Sequence, residues 1–66
     1  MKLIVSGAEH EFDTAMNVSA LIERLALDAR GIAVAVNDEV VRRNAWQERE
    51  LREGDRVELV RAVQGG

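Results

Sequence analysis

Sixty-six residues leave room for one domain, and a chain this short buries only about 60% of the surface its unfolded form exposes, so its core is thin. With no cysteine and one histidine, neither a disulfide framework nor a cysteine-rich zinc site can reinforce that core. Twelve acidic against nine basic residues give a net charge of −3, the wrong sign for gripping phosphates by counterion release, which argues against nucleic acid as a partner.

The elements follow in chain order. Lys2-Leu3-Ile4-Val5-Ser6 is β-rich; Gly7-Ala8-Glu9 punctuates it, and His10-Glu11-Phe12-Asp13 alternates again, which predicts a hairpin with Leu3, Val5 and Phe12 inward. After Thr14 the period changes. Val18, Leu21, Ile22 and Leu25 fall at i, i+3, i+4 and i+7, one stripe of an amphipathic helix, with Asn17 as its N-cap and Gly31 as its stop. Ile32 to Val36 is an uncharged apolar run, the pattern of a strand covered on both sides or central in a sheet. Asn37-Asp38 is a turn, and Val40-Val41-Arg42 returns as a second hairpin. Asn44 to Glu50 is polar apart from Ala45 and Trp46 and reads as a turn or a single helical turn, from which Leu51 plugs the core. Gly54-Asp55 then turns the chain into Arg56 to Arg61, where period two resumes with Val57 and Leu59 inward.

The order β, β, α, β, β, β predicts a two-layer α+β domain, a mixed sheet of four to five strands packed on one helix. In the β-grasp arrangement of these elements the first and last strands lie side by side in mid-sheet. Residues 62–66 then form a flexible C-terminal tail beyond a central strand, within a single domain of residues 1–66. No apolar run approaches the roughly 20 residues of a membrane span, and the start is too short for a signal sequence. The expected location is the cytoplasm.

The tail ends in Gly65-Gly66, a pairing expected by chance at the end of about 0.5% of chains at average glycine usage. Without Cβ, such a pair can lie in a narrow channel and bring a terminal carboxylate close to another protein's reacting groups. A carboxylate has no good leaving group, so it must be activated before a sulfur nucleophile can attack its carbonyl. The chain has neither a Gly-rich phosphate loop nor a cysteine, so it reads as the substrate of such chemistry and not as an enzyme.

The segment from Val36 through Asn37, Val41, Arg43 and Trp46, the Gly54-Asp55 turn leading into the last strand, and the Val63-Gln64-Gly65-Gly66 end together resemble the ThiS family of thiamine-pathway sulfur carriers. The resemblance spans the chain in length and element order, with its diagnostic residues between Val36 and Gly66; the N-terminal half matches mainly in hydrophobic pattern. It implies that Gly66 is adenylated, at the expense of ATP, by an E1-like enzyme of the ThiF type. A cysteine desulfurase persulfide then converts it to a thiocarboxylate, whose sulfur passes to a thiazole synthase of the ThiG type. Gly65, Gln64, Val63 and Ala62 would thread the tail into each partner, and no cofactor would be bound by the chain itself.

Other features have two readings each. Alternation puts Ile4 and Val60 on the face opposite Leu3, Val5, Val57 and Leu59, where they are expected to form a small apolar patch, either a docking face for the partner enzymes or ordinary scattered surface. Trp46 is either a stacking platform or a packing anchor, with packing favoured. Glu9, Glu11 and Asp13 face one way on a strand and His10 the other, so they do not converge on a metal. Arg42, Arg43, Arg49, Arg52, Arg56 and Arg61 make a solvated face or an interface for an acidic surface. The rival functions are the sulfur carrier of molybdopterin synthesis, whose chains carry aromatic-Pro residues that Val60-Arg61-Ala62-Val63 lacks, a ubiquitin-like protein modifier, and a plain interaction domain.

Overall fold

The computed structural model describes residues 1–61. The chain runs β1 (Lys2–Val5), β2 (Ala8–Glu11), α1 (Val18–Arg24), β3 (Ile32–Val36), β4 (Glu39–Val41), a 3₁₀ turn (Arg43–Ala45) and β5 (Arg56–Arg61). The strands form one sheet in the order β2-β1-β5-β3-β4, in which β1 and β5 are parallel and the other neighbours antiparallel. First and last strands are adjacent at its centre, which is the β-grasp arrangement the element order predicts.

Both hairpins close on two residues with positive φ, Ser6 (49°) with Gly7 (84°) and Asn37 (51°) with Asp38 (70°). Such turns match the right-handed twist of the strands they join. The first turn is tighter than the sequence suggests: β2 starts at Ala8, and Glu9, expected in the turn, pairs with Ile4.

The helix begins as predicted. The Asn17 side-chain oxygen accepts from Ala20 N–H at 2.7 Å, and Val18 and Ser19 N–H donate to the carbonyls of Arg49 (3.0 Å) and Trp46 (3.2 Å) in the crossover before β5. These three bonds satisfy three of the four N–H groups that a helix start leaves open, and Leu21 N–H on Asn17 O (3.1 Å) begins the regular ladder. The helix ends earlier than Gly31, at Arg24. Ala26 takes φ +57°, its N–H donates to Glu23 O (3.0 Å) and Leu27 N–H donates to Ile22 O (3.2 Å). This is a Schellman closure with alanine in the left-handed position usually held by glycine. It turns Leu27 back to pack against the core, while Gly31, at φ +76°, steers the chain into β3.

The core lies between α1 and one sheet face. Leu3, Val34, Val36 and Val57 from the sheet meet Val18, Leu21 and Ile22 from the helix, and Phe12, Met16, Trp46 and Leu51 close its ends. Trp46 is buried and its indole N–H donates to Val41 O at 3.0 Å, so the packing reading holds. His10 lies on the inward face at the sheet edge, opposite Leu3, with its ring stacked on Phe12 at 6.2 Å.

The centre of the sheet is asymmetric. Ile4 N–H donates to Asp55 O (3.0 Å) and Ser6 N–H to Val57 O (2.8 Å), so odd-numbered residues of β5 turn their backbone groups toward β1. β1 turns away at Ser6-Gly7, and its pairing with β5 reaches Val57; β3 accompanies β5 on the other side as far as Arg61.

Candidate functional site

Ala62, Val63, Gln64, Gly65 and Gly66, which the sequence marks for threading and covalent attachment, lie outside the described residues. The structure fixes where they start. They follow Arg61, the last residue of the central strand, which pairs with Ile32 at the beginning of β3.

The entry of that strand is held by side chains. Asn37, in the β3–β4 turn, accepts from Arg56 N–H (2.9 Å) and donates to Asp55 (3.0 Å), while Arg56 O accepts from Asn37 N–H (2.8 Å). The other Asp55 oxygen accepts from Arg52 N–H (2.8 Å), closing the turn in which Gly54 sits at φ +84°. Asn37, Gly54 and Asp55 thus fix the register of β5, and Trp46 ties the crossover to β4. Among the residues that carry the family resemblance, these act on the scaffold. They set where the chain leaves the sheet after Arg61.

The open sheet face differs in layout from the expected patch. Ile4 and Val60 do lie on the same face, but the register places Ile4 beside Arg56 and Glu9, four residues down β5 from Val60. Alternation along one strand fixes the face, whereas the position across strands depends on register. The apolar area here is built from Val60 (59% exposed) beside Ala33, and Val40 (73% exposed) beside Ala35. Val40, Ala33 and Ala35 were not singled out by sequence reasoning; their signal is the pairing of two alternating strands with β5.

At the exit of β5, Leu27, Ile32, Leu59 and Arg61 line a shallow cavity of about 180 Å³. Beside it Asp28 accepts from Arg30 through its backbone N–H (3.0 Å) and its guanidinium Nε and Nη2 (3.2 and 3.1 Å). These bonds hold the Asp28 carboxyl below the usual Asp range, with smaller help from the positive charges of Arg61 and Arg43. Among the described residues no buried polar or charged side chain and no group of three potential metal ligands is present. No helix there is long and apolar enough to cross a membrane.

Comparison with known proteins bears on this geometry. The model of the ThiS family matches residues 2–66. A crystal structure of the thiamine biosynthesis protein ThiS from Geobacter metallireducens superposes with a TM-score of 0.90 at 32% identity, covering all of both chains. The sulfur carrier protein ThiS of Escherichia coli K12 is 26% identical over the full length of both chains. A thiazole synthase of Paramagnetospirillum magneticum is 36% identical over all 66 residues, which span 20% of that protein's length. The fold, the scaffold residues around β5 and a match running from residue 2 to residue 66 lead to one assignment: the chain belongs to the ThiS family, the sulfur carriers of thiamine biosynthesis.

Proposed function

We propose that this carrier works through the carboxylate of Gly66, handled by enzymes that the tail enters. A carboxylate oxygen attacks the α-phosphorus of ATP on an E1-like enzyme of the ThiF type, and pyrophosphate leaves. The terminal sulfur of a cysteine persulfide, supplied by a desulfurase, then attacks the acyl carbonyl and displaces AMP. A second thiol reduces the resulting acyl disulfide and releases the thiocarboxylate. Gly65 keeps the backbone narrow at the point of attack; Gln64, Val63 and Ala62 thread the channel. The chain has no cysteine and none of the acid, base and nucleophile sets of an enzyme, so every step is catalysed by a partner.

The observation that carries this reading is the family match through Gly65-Gly66, on a fold whose central strand leads toward them. A thiazole synthase as acceptor is supported by the thiazole synthase relative, which holds a stretch similar to this whole chain. The open face around Val60 and Val40, with Ile4 at its margin, is the docking surface in this scheme: among the described residues it carries the two large exposed apolar side chains, with Glu58 and Arg56 beside them, on the sheet that leads to the tail. Incubation with ATP, the cognate adenylating enzyme and a persulfide donor tests the scheme by intact mass. Exchange of one oxygen for one sulfur is expected, and deletion of Gly66 abolishes it. A stable conjugate to another protein, or no mass change, would refute it.

A further inference from the structure

Basic residues at the exit of β5 come together from separate stretches of sequence. Ile32 pairs with Arg61, and on the other side of β3 the strand β4 pairs Val41 with Val34 and gives way at Arg43 to the 3₁₀ turn. Arg61, an odd residue of β5, shares the helix-side face with Val57 and Leu59, and the positive charges of Arg61 and Arg43 both reach the Asp28 carboxylate. The loop from α1 enters β3 at the same end and brings the Asp28–Arg30 pair beside them. Three guanidiniums against one carboxylate thus gather where the tail begins, in a chain whose overall charge is −3. Arg43 and Arg61 are both exposed, and among the described residues neither forms an ion pair.

We propose that Arg43 and Arg61, with the Asp28–Arg30 pair beside them, form a cationic collar at the base of the tail that docks on acidic side chains of a partner protein, at the mouth of the channel that admits the tail. This rests on the carrier reading above. Arg43 and Arg61 share only the Asp28 carboxylate, which Arg30 already engages, so their mutual repulsion is only partly offset among the described residues, and neither side chain is buried in the core. Carboxylates on an approaching surface relieve that repulsion. The excess positive charge stands at one end of an acidic molecule, so the field of an acidic channel mouth orients the carrier with its tail foremost before contact. Rim charges of this kind act on association rate and its salt dependence more than on the lifetime of the complex. The apolar face around Val60 and Val40 is separate from the collar and supplies contact area after encounter.

The test measures association of the full chain with the cognate adenylating enzyme across a range of salt concentrations, with and without ATP. The double variant Arg43→Glu/Arg61→Glu is compared with Arg24→Glu/Arg52→Glu, which changes the net charge equally at sites away from the β5 exit. All four positions are exposed, and thermal melts verify folding. The collar variant is expected to associate at least about tenfold more slowly at low salt, with the difference shrinking as salt screens the charges; the control changes less than about threefold. Equal slowing of both variants would mean that overall charge alone matters, and no slowing of either would mean that the collar is solvated surface; each overturns the proposal. Slowing seen only with ATP bound would assign the arginines to phosphate and also overturn it. The carrier reading is judged separately, by whether the wild-type chain gains sulfur in the same preparation.

Discussion

Replacing Asn37 separates the two things this residue does for the central strand. Its side chain makes two hydrogen bonds, to Arg56 N–H and to the Asp55 carboxylate, and its backbone sits at φ +51°. Asn37→Gly keeps the turn conformation and removes both bonds, each with a net value of about 0.5–1.5 kcal/mol. The expected loss is about 1–2 kcal/mol, because both bonds are solvent-exposed. Asn37→Ala removes the same bonds and places a Cβ residue in the left-handed region, which costs about 1–2 kcal/mol more. Glycine's greater freedom in the unfolded chain offsets about 0.4–1 kcal/mol of the difference between the variants. The order of stability is therefore wild type, then glycine, then alanine. For a domain of 66 residues the whole folding free energy is about 3–10 kcal/mol, so the alanine variant loses a large share of it. Each kcal/mol moves the midpoint of thermal unfolding by about 4–8 °C at this size. Circular dichroism melts, with urea titrations to confirm an unchanged m-value, measure both variants. A glycine variant as stable as wild type would refute the role of the Asn37–Asp55–Arg56 network, and alanine no worse than glycine would refute the contribution of backbone conformation.

Ala26→Gly relieves a left-handed alanine at the helix end and is expected to raise stability by about 0.5 kcal/mol after glycine's unfolded-state entropy is counted, read as a higher urea midpoint. Trp46→Phe leaves Val41 O without its buried donor and lowers stability by about 1–3 kcal/mol, measured by the same titration. On the open face, Val60→Asp is expected to weaken binding to the adenylating enzyme about tenfold or more by calorimetry, and Ile4→Asp less, because Ile4 lies beside Arg56 and Glu9 away from the apolar area. Asp28 has a lowered pKa, so its favourable pairing with Arg30 is fully present above the unfolded value and is lost as pH falls through the lower folded one. A carboxyl NMR titration is expected to place the Asp28 midpoint below the ordinary Asp value, and Arg30→Ala to move it back up.

Much of the fold could be read along the chain because local patterns and tertiary packing agree. Period two in Arg56 to Arg61, the uncharged run Ile32 to Val36 and the Asn17 cap each name their own element. The end of the helix was hidden because Gly31 is a stronger stop signal than Ala26, and nothing local announces that Leu27 must fold back onto the core. Ile4 and Val60 illustrate the second limit. Alternation assigns each to a face, but only the long-range pairing of β1 and β3 with β5 tells which residues are neighbours. The grouping of Arg43 with Arg61 and Arg30 was hidden for the same reason: arginines from the loop before β3, the turn after β4 and the end of β5 come together only once the sheet is assembled. Gly65-Gly66 stand out in the sequence itself, because a glycine pair beside a terminal carboxylate has a chemical use that needs no fold to recognise, and the role proposed for them rests on that chemistry.

The early departure of β1 gives the central strand two mechanical regimes. As far as Val57, β5 is held from both sides and opens only with the domain. From Leu59 to Arg61 it is held by β3 alone, so this stretch can peel from β3 one hydrogen-bonded pair at a time while the packing around Val57 stays closed. Each pair released lengthens the tether between core and Gly66 by two residues, about 7 Å of extended chain. Under the proposed function, this lets one short carrier reach active sites set at different depths.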